Sequence, residues 1–123
     1  MRRAVSSMKL EAKKLLFDVI TACGHIEQFT AGKNFDDYLG SELLRGAVER
    51  KFEIVGEALM RLRSKDPNTF ACISASQEAI AFRNRLVHGY DAIDHALIWN
   101  IIQDDVRALK AETENLLREE TEQ

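Results

Sequence analysis

Proline occurs once in this chain, at Pro67, and glycine only six times in 123 residues. Few obligatory backbone breaks are therefore built in. Cysteine is nearly absent. Cys23 and Cys72 are far apart, match no metal-ligand spacing, and read as two reduced thiols in or near a core. No run approaches the ~20 apolar residues of a membrane span. The opening Met1-Arg2-Arg3-Ala4 lacks the apolar stretch of a signal peptide, so a cytoplasmic location is expected. An excess of basic charge is missing as well. With 17 Lys and Arg against 20 Asp and Glu, the chain is mildly acidic. That argues against broad coating of nucleic acid, which needs a basic surface. A local basic groove remains open.

What is present fits a globular helical protein. The composition is 46% hydrophobic and 30% charged, which argues against disorder. The length implies one domain over residues 1–123, with 1–7 and 118–123 expected as loose tails. At this size a partner subunit would help bury surface.

Apolar residues recur at helical spacing in four segments, with no convincing strand. The first runs from about Met8 to Thr30 and carries Leu15, Leu16, Val19, Ile20, Ala22, Cys23 and Ile26. Ala31-Gly32-Lys33-Asn34 reads as a stop and turn, and Phe35 to Leu39 as a short helical turn. Ser41 caps a second long helix with the stripe Leu44, Val48, Phe52, Val55, Leu59 and Leu62, ended by Asp66-Pro67-Asn68. Gly56 inside it costs about 1 kcal/mol relative to alanine. Close approach of another helix, from this fold or from a second subunit, is its simplest explanation. Ser74 with Gln77 forms a capping-box pattern for a third helix that runs through Ile80 and Phe82 to His88. A fourth starts at Asp91 or Asp94, carries Leu97, Ile98, Ile101, Ile102, Val106 and Leu109, and frays through Leu116-Leu117. The expected fold is an all-α, up-and-down four-helix bundle with room for one extra short helix.

The third helix holds the chemistry. Arg83-Asn84-Arg85-Leu86-Val87-His88 is followed by Gly89 and Tyr90. Arginine is a permanent cation whose planar fork matches phosphate. Histidine takes and gives protons near neutral pH. At about 100° per residue, Asn84 and His88 share one face and Arg83 and Tyr90 another, with roughly 140° between Arg83 and His88. Convergence needs the helix to loosen at Gly89, the long arginine to reach round, or a second helix to complete the groove. A two-fold dimer is the simplest of these. Such a cleft suits RNA cleavage by internal attack of the 2′-hydroxyl. His88 would move protons, Arg83 would hold the phosphate, Asn84 would orient one or the other, and Arg85 would bind neighbouring phosphates.

Plainer roles compete. His88 could simply complement a helix C-terminus. Arg83 could pair with Glu78 or Asp91, Arg85 could be a solvated charge, and Tyr90 could be half-buried packing. A non-catalytic cleft that binds a nucleotide, or docks a partner enzyme, would use the same residues. Glu53 and Glu57, four apart, could bind a metal, but no histidine follows at the spacing of a di-iron bundle. Ion pairs with Arg50 and Arg61 are the simpler reading. His25 and His95 read as surface or structural residues, and Trp99 as core or subunit interface.

Two segments carry a resemblance. Ala47-Val48-Glu49-Arg50-Lys51-Phe52-Glu53-Ile54-Val55-Gly56-Glu57-Ala58-Leu59 is similar to the second-helix signature of the HepT-like toxins of the HEPN superfamily. Phe82-Arg83-Asn84-Arg85-Leu86-Val87-His88-Gly89-Tyr90-Asp91, with Asp94 and Trp99 behind it, matches that family's Arg-(four residues)-His-X-Tyr motif in order and spacing. The likeness spans roughly Met8 to Leu117. It implies a homodimeric endoribonuclease that needs neither metal nor cofactor, the toxin of a toxin–antitoxin pair of the type II or type VII kind. It implies catalytic Arg83 and His88 with Asn84 in support. It also implies a partner, an MNT-type nucleotidyltransferase antitoxin that transfers AMP to Tyr90. One departure is the stretch Ile73-Ser74-Ala75-Ser76, where family members often have a proline.

Overall fold

In the computed structural model, the described backbone covers residues 10–89 and 93–122, with side chains to residue 119. The helices are α1 (Leu10–Thr30), α2 (Phe35–Leu39), α3 (Glu42–Lys65), α4 (Pro67–Ala71), α5 (Ser76–His88), α6 (His95–Asp104) and α7 (Val106–Glu122). No strand occurs among the described residues. The fold is all-α, as the helical periodicity predicts. No described helix is long and apolar enough to cross a membrane.

The core follows the stripes. Leu15, Leu16, Val19, Ala22, Cys23 and Ile26 of α1 are buried against Val48, Phe52, Val55, Leu59 and Leu62 of α3 and against Ile98, Ile102 and Val106. In the packing order, α1 lies between α3 and α7, and α3 carries α5 on its other side. The motif helix is thus an outer member of the bundle. Its buried residues are Ser76 and Ile80, while Gln77, Glu78, Ala81, Asn84, Arg85 and His88 are exposed.

Local chemistry sets the ends. Gly32 takes φ +72°, a left-handed turn conformation that favours glycine. Asn34 and Asp37 exchange side chain–backbone hydrogen bonds of 2.8 and 3.0 Å, a capping box that starts α2. Ser41 Oγ accepts from the Leu44 amide at 3.1 Å and starts α3. The Arg45 guanidinium donates to the Leu39 carbonyl and ties α2 to α3. Asp66 ends α3 and caps α4, taking the Thr69 amide at 3.2 Å and the Thr69 hydroxyl at 2.7 Å, with Pro67 at the first turn.

Four local expectations change. The stretch after Pro67 forms a short helix, α4, rather than plain turn. Ser74 does not cap α5: the N-cap is Ala75, with no side-chain bond. The Ser74 amide and hydroxyl both donate instead to Glu112 Oε1 of α7, each at 3.1 Å. A carboxylate 38 residues away won over the local pattern. The fourth predicted helix is bent at Asp105 into α6 and α7. The bend is a kink: the Asp105 amide still reaches the Ile101 carbonyl at 2.8 Å, and its own carbonyl still takes the Leu109 amide at 3.0 Å. Adjacent Asp104 and Asp105 are poor helix formers. The kink lies beside an apolar cavity of about 300 Å³ walled by Cys23, Phe52, Val55, Phe82, Ile101 and Leu109. Helix α7 continues to Glu122 instead of fraying at Leu116–Leu117, both of which pack against the core.

Gly56 is explained within the chain. A methyl built on it would lie 2.6 Å from Arg83 Cγ, nearer still to Arg83 Cβ, and 3.3 Å from the Ala79 carbonyl oxygen. Helix α5 presses on α3 there. Just beside it, the Phe52 and Phe82 rings meet edge to face, with centroids 5.2 Å apart. Alanine at 56 should therefore destabilise the fold by about 1–2 kcal/mol, overpacking outweighing the gain in helix propensity. A thermal melt of Gly56→Ala checks this. An equal or higher midpoint would mean that the two helices do not meet so closely.

Candidate functional site

Arg83 is placed by its carbon stem. The stem lies across Gly56, and only 19% of the side chain is exposed. Its guanidinium has three distinct edges. Nη1 donates to Asn84 Oδ1 at 3.0 Å. Nη2 faces Glu57 Oε2 of α3 at 3.5 Å. Nε is buried and has no hydrogen-bond partner among the described residues. Neither Glu78 nor a solvated position claims this arginine. Glu57 does, a residue whose spacing from Glu53 suggests a metal pair or, more simply, ion pairs with Arg50 and Arg61. The signal was available: Gly56 marks the crossing point, and the next residue is an acid.

Arg50 extends the group. Its Nη1 lies 3.2 Å from Glu53 Oε1 and 3.8 Å from the same Glu57 Oε2 that faces Arg83. Two cations and two carboxylates therefore run in a line across α3 and α5. Pairing of these glutamates with Arg50 is as the sequence predicts; a pairing with Arg61 is not seen among the described residues. No described group of histidine, cysteine and acidic residues is gathered for a metal.

His88 is the last residue of α5 and is exposed. Among the described residues it has no hydrogen-bond or ion-pair partner. With Arg85 it places basic side chains in the final turn, where the helix end is partly negative. The Gly89 amide closes the helix onto the Arg85 carbonyl at 2.7 Å, and a Cβ at Gly89 would lie 2.5 Å from that carbonyl oxygen. Because α5 stays helical through His88, any loosening at Gly89 comes too late to turn His88 towards Arg83. Their separation of roughly 140° around one axis stands. The structure thus brings together Arg83, Asn84 and Glu57, keeps Asn84, Arg85 and His88 on the open side, and does not unite Arg83 with His88 inside one chain. Tyr90, and Asp91 as a partner for Arg83, lie outside the described residues.

A second polar group sits where α2, α3 and α6 meet. Tyr38 is fully buried, its hydroxyl without a partner among the described residues, with His95 edge-on at 6.2 Å and Trp99 at 5.5 Å between ring centroids. Trp99 is thereby a packing residue, also near Phe35. Burial, and then the charge of Glu49, push the Tyr38 phenol well above its ordinary range. Burial also raises the Glu49 carboxyl, with His95 and Arg45 pulling it back and Glu53 adding to the rise. His95 is structural, as expected, and so is His25, which stacks on Phe29. Cys23 is no nucleophile: burial, helped by Glu27, lifts its thiol to about 12.

The rise at Glu49 has a sign. The folded chain holds that proton more tightly than the unfolded chain, so stability falls as pH climbs from the ordinary carboxylate value upward. Glu49→Gln should therefore raise the thermal midpoint at about pH 7, and the gain should shrink towards about pH 4. Melts of both proteins across that range check it. A gain that grows on acidification would reverse the assignment.

A family model described as "Ribonuclease HepT-like" matches residues 19–116. A Methanocaldococcus jannaschii protein described as a candidate RNase is 32% identical over 110 residues, 86% of this chain and 96% of the relative. A probable ribonuclease HepT of Thermococcus cleftensis is 32% identical over 112 residues, 89% of this chain and 98% of the relative. A further candidate RNase, from Caldanaerobacter subterraneus, is 24% identical over 102 residues, covering 83% and 90% of the two chains. No solved structure matches the chain with significance.

Proposed function

This chain belongs to the HepT-like ribonuclease family, and from that premise we propose that it is a toxin endoribonuclease that cuts RNA without a metal, in a cleft formed by two copies of α5. The observation that carries this reading is the divergence of Arg83 and His88 on one straight helix. A single chain offers an anchored cation on one side and an exposed imidazole on the other. A two-fold partner facing that helix supplies the missing half of each pair. The exposed side of α5, carrying Asn84, Arg85 and His88, is the side left open for it.

In that cleft one His88 takes the proton of the ribose 2′-hydroxyl. The 2′-oxygen attacks phosphorus, the bond from phosphorus to the 5′-oxygen breaks, and the second His88 protonates the leaving oxygen. The products are a 2′,3′-cyclic phosphate and a 5′-hydroxyl. Arg83 holds the non-bridging oxygens as charge gathers on them. Asn84, already bonded to Arg83 at 3.0 Å, keeps the guanidinium flat across the groove. Arg85, exposed one residue on, meets a neighbouring phosphate.

The antidote in this reading is a nucleotidyltransferase of the MNT type that transfers AMP to Tyr90. Tyr90 follows Arg83 by seven positions and His88 by two. An adenylate on it would add a fixed anion to compete with the substrate phosphate.

Purified protein, its mass checked first for adenylate, should cleave single-stranded RNA in EDTA and leave cyclic phosphate ends. His88→Ala should lower the rate at least about 100-fold with the helical signal intact. Equal rates would remove His88 from the chemistry. Inert wild-type protein that still binds the cognate transferase would favour a docking module instead. Co-expression with that transferase should raise the mass by whole AMP units, and Tyr90→Phe should block the gain. A mass gain that survives in the Phe variant would place the modification elsewhere.

A further inference from the structure

We propose that Glu57 is a positioning residue for Arg83, a carboxylate that shifts from Arg83 to Arg50 when a phosphate arrives. The inference rests on the reading of Arg83 as the phosphate-holding group.

One oxygen, Oε2 of Glu57, lies 3.5 Å from Arg83 Nη2 and 3.8 Å from Arg50 Nη1. Both separations exceed the 2.7–2.9 Å of a strong charge-assisted bond. The carboxylate is therefore seized by neither cation and stands between them. The cations differ in freedom. Arg83 is pinned, its stem across Gly56 and its Nη1 on Asn84. Arg50 is 59% exposed and keeps Glu53 at 3.2 Å. A phosphate on Arg83 adds a second anion beside Glu57, and like charges repel. Arg83 cannot follow Glu57, so Glu57 must leave, and Arg50 already waits on the other side of the same oxygen.

Before RNA binds, Glu57 keeps the outer edge of the guanidinium aligned and occupied. After cleavage it competes with the product phosphate and helps release it. Substitution at 57 should thus separate affinity from turnover.

The probe is a labelled, mixed-sequence single-stranded 2′-O-methyl oligoribonucleotide, which lacks the attacking hydroxyl. Glu57→Gln should bind it about two- to fivefold more tightly than the unaltered protein. In cleavage of ordinary RNA, KM should fall without a rise in kcat. Glu57→Asp keeps the charge but withdraws it from Arg83, and should resemble Glu57→Gln. An affinity equal to that of the unaltered protein would mean bulk charge, not contact, and would overturn the proposal. Glu53→Gln, which removes the same charge away from Arg83, should have the smaller effect, and an equal effect would also overturn it. Arg50→Met should weaken binding when Glu57 is present and do nothing in the Glu57→Gln background. Equal weakening in both would make Arg50 a direct phosphate ligand and remove the exchange.

Arg83→Met keeps the stem over Gly56 and removes the charge, with circular dichroism confirming the fold. In that background Glu57→Gln should change nothing. An Arg83→Met protein that binds like the unaltered one would overturn the nuclease reading itself. Loss of binding there, with Glu57→Gln and Glu57→Asp both unchanged, would overturn only the role of Glu57.

Discussion

The crossing of α3 and α5 at Gly56 is the constraint on which fold and site both depend. With no Cβ at that position, the hydrocarbon part of Arg83 fills the gap between the two helices. The contact is apolar, but its far end is a cation. Packing therefore does what electrostatics at a half-exposed surface does poorly: it fixes the stem of a charged group, and leaves only the guanidinium to be aligned by its polar neighbours. Phe52 and Phe82, ring against ring next to this crossing, hold the same two helices from the core side.

The electrostatic surroundings are modest for a protein that handles a polyanion. The chain is net acidic, and the Arg83 neighbourhood balances two cations with two carboxylates. Each chain alone offers phosphate little attraction beyond one arginine edge and the solvated Arg85. In the proposed dimer, juxtaposing two such helices would double the positive groups at one place without making the whole molecule basic. Local concentration of charge, rather than total charge, is what lets an acidic protein engage RNA.

The long helices and their buried stripes were legible because burial at a spacing of three and four residues is local information. The cap at Ser41 belongs to the same class; the Asn34–Asp37 box is equally local, but a reading of Ala31–Asn34 as stop and turn leaves it out. Gly56 was legible in kind: its cost within a helix pointed to a close neighbour, though not to which one. What could not be read arises between residues distant in sequence. Ser74 looks like a cap and is a donor to Glu112. Glu57 looks like a partner for Arg50 and is shared with Arg83. The 140° between Arg83 and His88 came straight from helix geometry, and the structure leaves it in place because α5 stays regular to its last residue. The kink at Asp105 escaped notice because the apolar spacing runs through it undisturbed.

The bond from Glu112 to Ser74 links the leading turn of the motif helix to the last helix of the bundle. During synthesis, residues 83–88 leave the ribosome well before residue 112 does. Until that carboxylate emerges, the leading turn of α5 is held by its packing on α3 and by the Ser76 hydroxyl, which donates to the Phe70 carbonyl at 3.4 Å. A chain that ends before residue 112 therefore keeps α5 packed on α3 but loses the bond that ties its leading turn to α7.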